Sequence, residues 1–332
     1  MLNDLKHFLK QYKSSNIVVL GDAMIDAYIW GKSERMSPEA PIPVVDIETR
    51  DSRLGGAANV ALNLKSLGLE PTLVCLLGDD DKAIQFEHLM KAQGLTCAGI
   101  LKDKHRKTTQ KTRIIVDSKH VLRLDNEQTD AFEQTDLILE QIENQHHKKP
   151  IDVLIFEDYN KGLLTTKTIK ACIDFCRENN IKTIVDPKKD NFFAYQHVDI
   201  FKPNYKELCE GLGEAEKEPF DLEHTKAMCS TLREKLKAKA IFLTLSEHGV
   251  LILTKDAFWH IPAFDRTIID VSGAGDTVVS VASTALSTEL NYKDLAFISN
   301  LAGGLVCEQV GVVPIDQNRL ENEIRAQHNQ QK

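Results

Sequence analysis

"DVSGAGDTVV", residues 270–279, sets three small residues, Gly273, Ala274 and Gly275, directly before Asp276 and an apolar stretch that suits a helix. A helix starting near Gly275 aims its first free N–H groups, and the positive end of its dipole, at whatever lies in front. With no side chains on the two glycines, an anion can touch the backbone itself, as in other amide nests. Such a hole suits the charge on a phosphoryl group in transit. An aspartate in the same turn can take the proton of an attacking hydroxyl. Asp is also a frequent helix cap, but Asp270, Ser272 and Thr277 already offer capping groups here.

Around this stretch, short β-branched runs alternate with longer helical patterns. Strands are predicted at 17–20, 72–77, 152–156, 182–186, 199–202, 241–245 and 250–254, and helices near 57–67, 81–93, 131–145, 166–179, 222–237, 275–288 and 293–309. That alternation predicts an α/β fold: a doubly wound, mostly parallel sheet in one domain spanning 1–332. Residues 27–49 and 97–125 break the rhythm with strand-like pieces, "VDSKH" serving as a turn in the second. They are expected to form a small β lid over the open ends of the strands, although surface hairpins would give the same pattern.

Composition narrows the function. The 332 residues are 42% hydrophobic, enough for a full core, and the net charge of −8 argues against binding nucleic acid or anionic membrane through the overall field. Any anionic ligand must then be met locally. No apolar run is long enough to span a bilayer, and Leu2, Leu5, Phe8, Leu9 and Tyr12 fit an amphipathic first helix without a signal core. The seven scattered cysteines, Cys172 and Cys176 sharing a helix face among them, are expected to be reduced thiols of a cytoplasmic protein. Neither G-x-G-x-x-G nor G-x-x-x-x-G-K-[ST] occurs, which removes the dinucleotide-fold and P-loop readings.

Ligands of open α/β sheets bind at the carboxyl ends of the strands. Asp22 and Asp26 follow the first strand, where carboxylates can accept hydrogen bonds from sugar hydroxyls. In "GGAAN", Gly55 and Gly56 allow close backbone approach, and Asn59 brings a donor and an acceptor to the next helix.

"DVSGAGDT" together with "GGAANVALNLKSLG" resembles the paired signatures of the ribokinase-like (PfkB) sugar kinases, over nearly the whole chain. Five further segments, "SERMSPEAPIPVV", "EDYNKG", "VDPK", "KPNYKE" and "TLSEHG", are similar to the D-glycero-β-D-manno-heptose-7-phosphate kinases of that family. The resemblance implies a ribokinase-like fold with a β lid, ATP and Mg²⁺ as cofactors, and Asp276 as general base. The implied product is the 1,7-bisphosphate on the route to ADP-heptose and lipopolysaccharide cores. It implies an ATP site at Asn204, Tyr205, Lys206, Glu207, Thr244, Ser246, Glu247, Gly249 and Asn300, with Glu207 near the magnesium water shell. Asp22, Asp26, Gly55, Gly56, Asn59, Asp158, Lys161 and Lys188 would serve the sugar. A separate nucleotidylyltransferase is expected to complete the pathway.

Two positions depart from the family pattern: Leu245 stands where a cation is expected, and Glu157 where a small polar residue is. Lys206 or Lys188 is expected to compensate. A phosphosugar needs reserved cations, for which Arg35, Lys107, Lys111, Arg113 and Arg123 are the candidates. The lid's open edges predict a homodimer. Another PfkB-type sugar or nucleoside kinase remains the alternative, and a non-catalytic sugar-binding regulator is disfavoured by the intact "GAGD".

Overall fold

Along Ile17–Gly21, the first strand, Ile17 and Val19 face one hydrophobic cluster while Val18 and Leu20 face another. That two-sided burial is what a strand covered by helices on both faces requires. The computed structural model describes residues 8–117, 119–217 and 219–330, so Leu2 and Leu5 of the expected first helix lie outside the described residues. Phe8 and Tyr12 are buried and stack at 5.0 Å.

The strands are β1 (Ile17–Gly21), β2 (Ala23–Met36), β3 (Pro43–Gly56), β4 (Thr72–Gly78), β5 (Ile100–Asp103), β6 (Gln110–Val116), β7 (Lys119–Asn126), β8 (Val153–Glu157), β9 (Lys182–Asp186), β10 (Ile200–Phe201), β11 (Ala240–Thr244), β12 (Val250–Thr254) and β13 (Phe258–Ile261). Nine of them form one sheet in the order β13-β12-β11-β10-β9-β8-β1-β4-β5, parallel except at β12 and β13. On one face lie α1 (Ala57–Ser66), α2 (Asp81–Ala92), α7 (Ala274–Ser287), α8 (Tyr292–Val306) and α9 (Gln317–Gln330). The other face carries α3 (Thr135–Lys148), α4 (Thr166–Glu178), α5 (Tyr205–Leu212) and α6 (Leu222–Leu236). This is the doubly wound architecture that the alternation predicted. Cys172 and Cys176 are both buried in α4, and all seven cysteines are free.

The remaining strands build a second sheet in the order β3-β2-β6-β7. Its extent differs from expectation. Residues 100–103 pair with β4 at the edge of the large sheet, so only the later part of 97–125 joins the small one. Conversely, β2 and β3 begin and end inside the body, at Ala23 and Gly56, making a long continuous ribbon rather than an insertion at 27–49. A strand of 14 residues can serve both layers because it needs no break where it leaves the core. Three elements, the short α5 and β13 and the 14-residue α9, were not anticipated. His146 and His147 lie in the last turn of α3.

Candidate active site

Where β8, β9 and β10 end, side by side in the large sheet, their last residues and the next ones decide the chemistry. Glu157 and Asp186 are register partners. Since side chains alternate between faces, both project toward the α7 side with Ile155 and Ile184, and Lys202 follows Ile200 in the same sense. Lys202 and Asp186 form a buried ion pair at 2.7 Å. Ligand atoms of Glu157, Asp186 and Asp276 all lie within 4.8 Å of one another. One oxygen of Glu157, Oε2, is buried without a partner. Burial, reinforced by Asp186 and Asp276, pushes the Glu157 carboxyl well above the usual range.

The same alternation sends Asp22 and Asp158 away from this cluster. Asp22 Oδ2 accepts the N–H groups of Tyr159 and Lys161 at 2.9 Å each. Asp158 accepts from the Tyr195 hydroxyl at 2.7 Å, from Asn191 at 3.1 Å and from the Asn160 N–H at 2.8 Å. Both therefore hold the 158–161 loop, where the sequence suggested sugar ligands. What that loop delivers is Tyr159.

Asp276 stands in the first turn of α7 and is buried. Gly273 caps the helix at φ 78°, a left-handed conformation that glycine adopts without strain. A Cβ there would also stand 3.1 Å from Asn59 Nδ2. Asn59 donates to Asp276 Oδ2 at 2.6 Å, and the Tyr159 hydroxyl donates to Oδ1 at 3.1 Å. Burial is the main cause that raises the Asp276 pKa to about 6, against the lowering effect of these two donors. A carboxylate so held, with a pKa near neutrality, suits proton acceptance at ordinary pH. Asn59 Oδ1 remains buried and unpartnered, a free acceptor beside it. Beneath the turn, Lys202 Nζ lies 3.9 Å from where a Cβ on Gly275 would stand.

Among the residues expected at the nucleotide, Asn204, Lys206 and Glu207 line a cavity of about 270 Å³ together with Lys188 and Asn160. Asn204 caps α5 in a reciprocal box with Glu207. Glu207 Oε2 accepts the Asn204 N–H at 2.9 Å and Oε1 binds Lys188 at 2.5 Å. Both oxygens are thus committed, which makes Glu207 a poorer metal neighbour than Glu157 or Asp186. Tyr205 turns toward Phe220, ring centroids 5.7 Å apart. Thr244 ends β11 and bridges to Asn204, while Ser246 and Glu247 form a short turn closed by Gly249. Asn300 donates to the Pro262 carbonyl at 2.9 Å, pinning the chain after β13. Leu245 is buried among apolar side chains, which explains why no cation stands there. Of the two expected substitutes, Lys206 is exposed and reaches only Glu210, at 3.8 Å. Lys188 lies over the Tyr159 ring at 5.4 Å. The cation nearest the GAGD turn, Lys202, was quoted within "KPNYKE" but not singled out. A charged residue at or just beyond the end of each of several adjacent parallel strands is the signal that finds it, with Asp186; Tyr159, two residues past β8, carries no such signal.

On the small sheet, Asp26 binds Arg113 and lies against Gly55, where a Cβ would collide with Asp26 Oδ2. Gly56, at φ 59°, turns β3 into α1. Lys111 is enclosed by Asp125 and Glu127 at 3.1 and 3.0 Å, and Lys161 pairs with Glu127 at 2.9 Å. Arg35 and Lys107 are exposed, and Arg123 is committed to Asp125. Lys111, Arg113 and Arg123 are neighbours on one face of β6 and β7, whereas among the described residues nothing joins Arg35 and Lys107 to them.

The profile described as pfkB family carbohydrate kinase matches residues 14–318. The chain belongs to that family. It is 36% identical over 307 residues to the bifunctional protein HldE of Campylobacter fetus subsp. fetus, covering 92% of this chain and 66% of that one. The HldE of Geobacter sulfurreducens is 33% identical over 319 residues, 94% of this chain and 64% of the relative. The chain thus spans about two thirds of the length of these relatives. Among solved structures, the ribokinase of Thermotoga maritima superposes with a TM-score of 0.73 at 19% identity, covering 94% of this chain and 99% of that one. Phosphofructokinase-2 of Escherichia coli, in complex with fructose-6-phosphate, gives 0.76 at 16% identity, covering 94% and 98%. A tetrameric inhibited form of the latter enzyme gives 0.75. At those identities the likeness establishes the ribokinase-like fold alone. Among the described residues, no helix is long and apolar enough to cross a membrane.

Proposed function

We propose that this protein transfers the γ-phosphoryl group of ATP to the anomeric oxygen of D-glycero-β-D-manno-heptose 7-phosphate, giving the 1,7-bisphosphate. The observation that carries the reading is Asp276. Its carboxylate is buried, oriented by Asn59 and Tyr159, raised to a pKa of about 6, and set behind the backbone of Gly273–Gly275. Similarity to the HldE proteins, together with the heptose-kinase-like segments, directs the choice of sugar.

Asp276 accepts the proton of the anomeric hydroxyl as that oxygen attacks phosphorus. Asn59 Oδ1 receives a neighbouring hydroxyl. The first N–H groups of α7 meet the oxygens of the phosphoryl group, and Lys202 adds positive charge beneath the turn. Magnesium supplies charge neutralisation between the nucleotide phosphates when bound. The residues that fit it are Glu157, with its orphaned buried oxygen, and Asp186; hard oxygen donors are what Mg²⁺ takes. Asn204 and its neighbours line the nucleotide side.

The lid's outer face, with Ile47, Leu122 and Leu124 exposed at 47%, 52% and 51%, suits pairing with a second copy, and we read the active species as a homodimer. The test is ATP consumption over a panel of sugars and their 7-phosphates. Preference for the heptose 7-phosphate supports the reading, whereas preference for an unphosphorylated sugar or a nucleoside replaces it with another kinase of the family.

A further inference from the structure

On the inner face of the lid, Arg53 of β3 and Arg113 of β6 flank one aromatic ring. Their guanidinium carbons lie 5.1 and 5.3 Å from the centroid of Tyr28, on the strand between them. Arg53 stands opposite Asp26 in the β2–β3 register, so it shares the sheet face that carries Asp26, Tyr28 and Arg113. Each arginine is tied to a single carboxylate, Arg53 Nε to Asp51 at 2.8 Å and Arg113 Nη1 to Asp26. Among the described residues, Arg53 Nη2 and the Nε and Nη2 of Arg113 make no hydrogen bond to protein. Lys111, by contrast, is enclosed by two carboxylates.

The position of Arg53 is built rather than incidental. Its Nη1 reaches the Val312 carbonyl at 3.4 Å, and Val312 also stands 3.2 Å from where a Cβ on Gly273 would be. A single residue thus separates this guanidinium from the turn that opens α7. Gly311 makes room for it, since a Cβ there would come within 2.7 Å of Arg53 Nη1. Arg53 precedes Gly55 by two residues, roughly 7 Å along a strand. That places it on the lid ribbon two residues before the glycines leading to Asn59, with Val312 between it and the turn that opens α7.

We propose that Arg53 and Arg113, splayed on Tyr28, form the seat for the terminal phosphate of the sugar substrate and set the preference for phosphosugars. The proposal rests on the heptose 7-phosphate reading and assigns its specificity to a residue outside the expected set of cations. Planar guanidiniums fixed on a ring suit a phosphate dianion, because each can give two parallel donors without further ordering.

The experiment compares the heptose 7-phosphate with the unphosphorylated heptose in wild-type enzyme, Arg53→Ala and Arg53→Lys, with folding checked by thermal melts. The expected result for Arg53→Ala is a KM for the phosphosugar raised about 10- to 100-fold, the loss of a charge-assisted contact. Its KM for ATP should stay within about twofold of wild type, and Arg53→Lys, which keeps charge without the fork, should fall between. If the wild type prefers the phosphosugar and Arg53→Ala keeps that preference, the seat is overturned and the substrate reading stands. A raised KM for ATP in place of the sugar effect overturns it too, assigning Arg53 to the nucleotide. A wild type that prefers the unphosphorylated heptose removes both. Should Arg53→Ala fail to fold, an Arg53→Lys enzyme with unaltered phosphosugar preference and KM overturns the seat.

Discussion

At the carboxyl edge of the large sheet, Glu157, Asp186, Lys202 and Asp276 are buried together. Across the inner face of the lid, Arg53, Lys111, Arg113 and Arg123 each meet carboxylates at 15–59% side-chain exposure. Both regions carry both signs of charge, yet only the first shifts its acids strongly. Desolvation raises Asp276 to about 6 and lifts Glu157 well above its ordinary value, while at the lid the nearby cations hold Asp125 and Glu127 below their ordinary values despite some desolvation. Burial with like charges favours proton traffic; exposure with opposite charges favours fixed anion contacts.

The change that tests this contrast most severely is Asp276→Asn. It keeps the shape and one acceptor but removes the base, so turnover should fall about 10²–10⁴-fold, with ATP binding intact. The folded pKa of Asp276 lies above the ordinary value of an aspartate, so its protonated form is the one folding favours. Its contribution to stability is present below the unfolded pKa and is lost as pH rises through about 6. The Asn variant should therefore melt no lower than wild type at pH 7, measured by calorimetry. In wild type, kcat/KM should climb as pH rises through about 6, when the carboxylate becomes available. Wild-type turnover in the variant would reduce Asp276 to a helix cap.

Second in size is Lys202→Met. Among the described residues, Lys202 is the one cation paired inside the cluster, and its removal leaves Asp186 beside Glu157 and Asp276. Breaking a buried pair costs about 3–5 kcal/mol. The deficit should shrink as pH falls toward 5, because the stranded carboxylates then take up protons. Denaturant titrations at two pH values check this. A pH-independent loss would mean that packing, not charge, makes Lys202 necessary.

Much of this was legible in the sequence. The alternation of strands and helices set the doubly wound sheet, because buried parallel strands need the continuous apolar runs that 17–20 and 152–156 display. "GAGD" and Asn59 were each legible as a helix start, but their hydrogen bond was not. Less legible was the face on which each acid beyond a strand would fall. Glu157 ends β8 and Asp22 follows β1 by one residue, and that one residue of parity sends Asp22 to a loop and Glu157 to the cluster. Sequence also lists cations without showing their partners, so Lys111 and Arg113 looked alike, although Lys111 is held between two carboxylates and Arg113 binds one through Nη1.

The third prediction turns to the lid's other face. Thr112 and Ile114 of β6 stand opposite Leu124 and Leu122 of β7, and this outer side is apolar where the inner one is charged. Leu124→Asp would bring a charge to any contact between two copies without touching the inner face. If the protein is a homodimer through the lid, sedimentation should show association weakened about tenfold or more, the cost of placing one unpaired charge in an interface. An unchanged association constant would place the interface elsewhere. A concentration-independent wild-type monomer would remove the dimer altogether.

Smallest should be Arg123→Ala. Its side chain is 59% exposed and holds Asp125 at 2.9 Å, while Asp125 keeps Lys111 at 3.1 Å as a second cation. Surface pairs of this kind contribute under about 1 kcal/mol, so the melting point should barely move. Because Arg123 sits on the lid's last strand, beyond Arg113 from Tyr28, the KM for the phosphosugar should change by less than about twofold, against the much larger effect expected at Arg53. The pair of measurements separates two explanations of the lid's charge. If Arg123→Ala raises KM as much as Arg53→Ala does, the whole cationic face acts on the substrate through its summed field, and raising salt should abolish both effects. If only Arg53 matters, and matters at high salt, the lid recognises its ligand by contact.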